Sequence, residues 1–88
     1  MTQEELKQTL VDRGMDEVVL FEAPAYSQAF IGLSHDNRAI YDYDKMVQCL
    51  VDEDGMTEED AEDFIAYNAV RSLPYQPNSP IILYPIED

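Results

Sequence analysis

Residues 51–63, VDEDGMTEEDAED, hold eight carboxylates in thirteen positions and no lysine or arginine. Carboxylates at such density have three chemical uses: they can ligate a hard cation, share acid–base work, or present a field to a positive partner. Calcium is the first to test, because Asp52-Glu53-Asp54-Gly55 resembles the centre of an EF-hand loop. With Gly55 at the sixth loop position, the first falls on Leu50 and the twelfth on Ala61, where the loop needs oxygen ligands. Starting at Asp52 instead puts Thr57 where the glycine belongs. Both registers fail, so no metal site is expected.

Acid–base chemistry needs carboxylates whose environments drive their pKa values apart. Solvated, mutually repelling acids at helix ends lack that asymmetry. The remaining reactive side chains are single. His35 falls in an expected hairpin turn beside Asp36, and Cys49 falls on a helix flank, where a small half-buried hydrophobe is the simpler role. One cysteine makes neither an intramolecular disulfide nor a cysteine zinc cage. No catalytic residue and no cofactor is expected, and the chain reads as non-enzymatic.

The third use remains. On a helix, residues three or four apart lie about 5–6 Å apart, so Glu58 with Glu62, Glu59 with Asp63 and Glu59 with Glu62 form short rows. Asp52, Glu53 and Asp54 join them across a short turn. Like charges so spaced cost a few tenths of a kcal/mol per pair, and the fold gains nothing by crowding them. B-DNA carries phosphates at about 3.4 Å per strand, and fixed carboxylates can imitate that field to a protein built to grip phosphates. The plain alternative is a solvated helix face. Asp52, Glu53, Asp54, Glu58, Glu59, Asp60, Glu62 and Asp63 are thus the candidate partner-binding set, with Tyr67 and Tyr75 as aromatic contacts at its margin. Tyr43 is a third tyrosine close to this stretch in sequence.

The charge of the whole chain points the same way. Nineteen acids against five bases leave 88 residues with a formal charge of −14. Direct binding to nucleic acid or an anionic membrane is excluded, since each phosphate contact needs a cation. The helix-turn-helix outline of residues 44–72 carries the wrong sign for reading DNA. A basic nucleic-acid-binding protein is the expected partner. MTQEELKQTL lacks the apolar core of a signal peptide, and no run approaches a membrane span, so a cytoplasmic setting is expected. Neither the target nor the oligomeric state is written in any motif.

These side chains need a scaffold, and the pattern predicts one α+β domain over residues 1–88. Thr2 and Glu5 have capping-box spacing and Gly14 suits a stop, giving a first helix over 3–13. DEVVLFE reads as a strand ended by Pro24. YSQAFIGLS, with Ala29, Ile31 and Leu33 on one face, and RAIYDY, with Ala39, Tyr41 and Tyr43, read as a hairpin around HDN. Asp44 is the expected cap of a second helix with Met46, Val47, Leu50 and Val51 inward and Gly55 as its stop. Thr57 caps a third, whose inner face is Ala61, Phe64, Ile65, Asn68 and Ala69, with Arg71 near its end and Pro74 closing it. Asn68 is a polar residue on that stripe, expected to satisfy backbone in the 73–79 loop. IILYPI is a last strand, whose Pro85 argues for a sheet edge or an end of pairing. The order α-β-β-β-α-α-β implies an antiparallel or mixed sheet of about four strands with three helices.

Residues 41–86 carry the motifs YDYDKM, DGMTEEDA, YNAVRSLPY and PIILYPI. In them this half of the chain resembles a family of small acidic proteins encoded by bacteria and their phages. The resemblance brings no catalytic residues across. It implies a mobile-element setting inside a bacterial host cell, where short acidic proteins block host nucleases by filling their DNA or RNA channels. The function this supports is inhibition of a CRISPR effector or restriction enzyme by nucleic-acid mimicry. An antitoxin-like or regulatory module with an aromatic and apolar interface is the second reading.

Overall fold

The computed structural model describes residues 2–21, 26–71 and 78–86. Helix α1 spans Gln3–Asp12. A 3-10 turn, Tyr26–Ala29, precedes strand β1, Phe30–Leu33, and strand β2, Ala39–Asp42. Helices α2, Tyr43–Asp54, and α3, Glu58–Asn68, follow, and strand β3 is Ile81–Leu83. The fold is a small α+β arrangement of three helices and a three-stranded mixed sheet in the order β1-β2-β3. Helices α2 and α3 together form the connection between the parallel strands β2 and β3, and a parallel pair always needs such a crossover.

Local chemistry sets the helix ends. The Thr2 hydroxyl accepts from the Glu5 N–H at 3.1 Å while the Glu5 carboxylate accepts from the Thr2 N–H at 3.2 Å, completing the expected capping box. That contact holds the Glu5 carboxyl below its ordinary range. Gly55 ends α2 in the left-handed region, φ +68°, and the Met56 N–H reaches back to the Leu50 carbonyl at 3.4 Å. Thr57 accepts from the Asp60 N–H at 3.1 Å and caps α3. The cap of α2 differs from expectation: Asp42, the last residue of β2, accepts from the Lys45 N–H at 3.1 Å, and Asp44 lies inside the first turn. Strand therefore passes into helix with no loop between them.

The strand expected from DEVVLFE does not form across its described part. Residues 16–17 turn, and 18–21 run without a ladder partner. Side chains take the place of a neighbouring strand here: Gln3 Nε2 donates to the Phe21 carbonyl at 3.0 Å, and the Phe21 N–H donates to the Tyr41 hydroxyl at 3.3 Å. Those two bonds satisfy the Phe21 backbone, which is what a ladder would have done. YSQAFIGLS likewise splits, its first half winding into the 3-10 turn. The β1–β2 hairpin is antiparallel as expected, but a bulge between Phe30 and Gly32 breaks the alternation and leaves Ile31 exposed. Its turn is closed by Ser34 and Arg38, with Asn37 at φ +60°.

The core joins Tyr26, Ala29, Ala39, Tyr41, Met46, Leu50, Ala61, Ile65 and Ala69. Tyr41 anchors it, packing on Phe21 at 4.9 Å and Phe30 at 5.8 Å between ring centroids. The inner faces read from sequence for α2 and α3 hold, with one correction. Asn68 is exposed, and its amide donates to the Phe64 carbonyl of its own helix at 3.0 Å instead of reaching toward the 73–79 loop. Arg38 fixes the approach of β3: its Nε donates to the Ser79 carbonyl at 2.8 Å and its Nη2 to the Ser79 hydroxyl at 3.3 Å. Strand β3 is an edge, as Pro85 suggested. Pro24, Pro74 and Tyr75 lie outside the described residues. Among those described, no helix is long and apolar enough to cross a membrane.

Candidate partner interface

The α2–α3 hairpin places all eight candidate carboxylates on its solvent side; each is exposed. Asp52, Glu53 and Asp54 occupy the last turn of α2, Glu58, Glu59 and Asp60 the first turn of α3, and Glu62 and Asp63 the next. Gly55 turns the chain between the two groups. The Gln48 amide donates to Asp52 at 2.7 Å. Two of the bases are engaged elsewhere: Arg38 holds Ser79, and the Arg71 guanidinium lies 5.9 Å from the centre of the Tyr67 ring. Lys45 borders a shallow groove of about 180 Å³ that Asp52 and Glu53 also line, with Gln28, Gln48 and Cys49.

The two groups of acids stand in opposite relation to their helices. Glu58, Glu59 and Asp60 sit at the positive pole of α3, where negative charge stabilises a helix. Their presence has a structural reason. Asp52, Glu53 and Asp54 sit at the negative pole of α2, whose last turn holds no base. Each such charge costs about 0.3–1 kcal/mol at low ionic strength. Helix polarity thus divides the eight.

Their field reaches the groups beneath. Burial, then Glu53 and Asp52, push the Cys49 thiol up, so it is a poor nucleophile at neutral pH. Burial, then Cys49 and Asp54, push the Tyr26 phenol up to about 12. Burial, then Glu62, Tyr84, Asp44 and Asp63, raise the Tyr43 phenol.

Tyr67 is 71% exposed beside Asp63 on the α3 surface, as an interface contact requires. Tyr84, outside the candidate set, was missed: it is 57% exposed and its ring lies 4.7 Å from that of Tyr43. No local sequence signal joins residues so far apart. The parallel register does, since Asp42 pairs with Leu83 and the residue that follows each strand is a tyrosine.

For chemistry, the concavities offer little. An open cleft of about 420 Å³ is lined by Gly14, Met15, Asp16, Glu17, Val18, Asp36, Asn37 and Asn78. It contains no histidine, cysteine or lysine, and the Ser34 hydroxyl donating to Asp36 holds that carboxyl low, the opposite of a general acid. Among the described residues no group of three or more His, Cys, Asp or Glu side chains is placed to hold a metal ion. No protein-family model, curated protein or solved structure matches the chain.

Proposed function

We propose that this chain is a non-enzymatic inhibitor that occupies the basic nucleic-acid groove of a bacterial defence protein, such as a CRISPR effector or restriction enzyme, by imitating nucleic acid. Asp52, Glu53, Asp54, Glu58, Glu59, Asp60, Glu62 and Asp63 are the imitating charges. One observation carries the reading: three carboxylates crowd the negative pole of α2 with no base in that turn, an arrangement that opposes helix stability. A cationic partner turns that cost into attraction. The phage-like motifs of residues 41–86 favour the same setting.

The deciding variant is Glu53→Lys with Asp54→Lys. Lysine suits a helix C-terminus, so the double variant melts higher than the native chain, by an amount corresponding to about 1–2 kcal/mol. Its capture of a nuclease from bacterial lysate at low salt falls at least about tenfold, in the manner of lost electrostatic steering. A more stable variant that still binds and still inhibits would reject the mimicry.

The exposed Tyr67 and Tyr84 favour a second reading, an antitoxin-like or regulatory module with an aromatic interface. Binding that is insensitive to salt but lost in Tyr67→Ala identifies that case.

A further inference from the structure

The Tyr43–Tyr84 pair is an aromatic surface rimmed by negative charge. The parallel register carries both segments past Asp42 and Leu83 together, and the rings lie 4.7 Å apart between centroids, tilted 33° to each other. Tyr84 remains 57% exposed despite that contact. Burial and then Glu62, Tyr84, Asp44 and Asp63 raise the Tyr43 phenol, so the ring that backs Tyr84 sits in negative potential. Tyr67, the other exposed ring of α3, already carries Arg71. That internal contact displays the pairing a guanidinium makes with a tyrosine on this protein; Tyr84 has no such occupant among the described residues.

Charge complementarity selects a cation for this place, and shape selects among cations. An ammonium is a compact, strongly hydrated point, whereas a guanidinium is planar, weakly hydrated, stacks on aromatic faces and forks to carboxylates. We infer that the exposed ring of Tyr84, packed against Tyr43 on a strongly acidic chain, is an arginine-binding subsite that receives a guanidinium from the basic groove of the partner. The inference rests on the charge-recognition reading above and adds to it a preference for arginine over lysine.

Two peptides of equal length and charge, one of alternating arginine and glycine and one of alternating lysine and glycine, are titrated into the protein at low salt. The native chain binds the arginine peptide about two- to five-fold more tightly. Tyr84→Ala brings the ratio to about one by weakening the arginine peptide while leaving the lysine peptide unchanged. Tyr84→Phe keeps the ring and the preference, which separates stacking from any loss of fold. Equal affinities in the native chain, or a preference that survives Tyr84→Ala, overturns the subsite while leaving the charge reading in place. If neither peptide binds, the charge reading fails and takes the subsite with it.

Discussion

Two buried tyrosines differ in one atom's surroundings, and that difference sets opposite expectations for the same substitution. The Tyr26 hydroxyl is buried with no hydrogen-bond partner among the described residues, whereas the Tyr41 hydroxyl accepts from the Phe21 N–H. Tyr26→Phe removes an unsatisfied group and raises stability by about 1 kcal/mol; Tyr41→Phe strands a backbone donor and lowers it by about 1–3 kcal/mol. Urea unfolding at neutral pH reads both. Burial pushes each phenol from 10.0 up to about 12, so the neutral ring is the folded one. Its contribution is complete below pH 10 and is lost as pH rises from 10 toward 12. The native chain therefore loses urea resistance across that window, and Tyr26→Phe loses less. An unchanged midpoint between about pH 8 and about pH 11 would contradict the burial of these rings.

Among the elements, helix ends were the most legible because capping is written within four residues. Thr2, Glu5, Thr57 and Gly55 act where their spacing put them. Asp42 was missed because the sequence offered Asp44 two places later, and the choice depends on where β2 stops. The substitutions distinguish them: Asp42→Ala costs about 1 kcal/mol, and Asp44→Ala, which removes only a favourable first-turn charge, about 0.3 kcal/mol. Gly55→Ala, forced to φ +68°, costs about 1 kcal/mol. Thermal melts of the three variants rank them, and an Asp44→Ala loss above that of Asp42→Ala would refute the observed cap. Strands were harder to read. The apolar, β-branched run from Val18 to Phe21 meets every local criterion for a strand, yet pairing depends on which backbone lies beside it. Side chains of Gln3 and Tyr41, distant in sequence, fill that position. The hairpin was visible, but its bulge at Ile31 was not, since an extra residue leaves no mark on composition. The acidic set was legible as a list, and its relation to the helix poles follows from the caps; that Tyr84 lies beside Tyr43 required the register of β2 and β3.

For the molecule as a whole, a charge of −14 makes ionic strength act on folding and on binding with opposite signs. Salt shortens the Debye length from about 10 Å at 0.1 M to about 3 Å at 1 M, relaxing self-repulsion and raising the melting temperature. The same screening weakens attachment to a basic groove. Melts and binding isotherms over one salt series test this together; a melting temperature that falls with salt would mean that internal attractions outweigh the repulsion. The loopless passage from β2 into α2 has a mechanical consequence. Rooted in the sheet at Asp42 and packed into the core through Met46 and Leu50, α2 carries its acidic end on a rigid support. Under the proposed mimicry, a groove must match that fixed surface instead of moulding it, so targets would be sorted by the dimensions of their channels as well as by their charge.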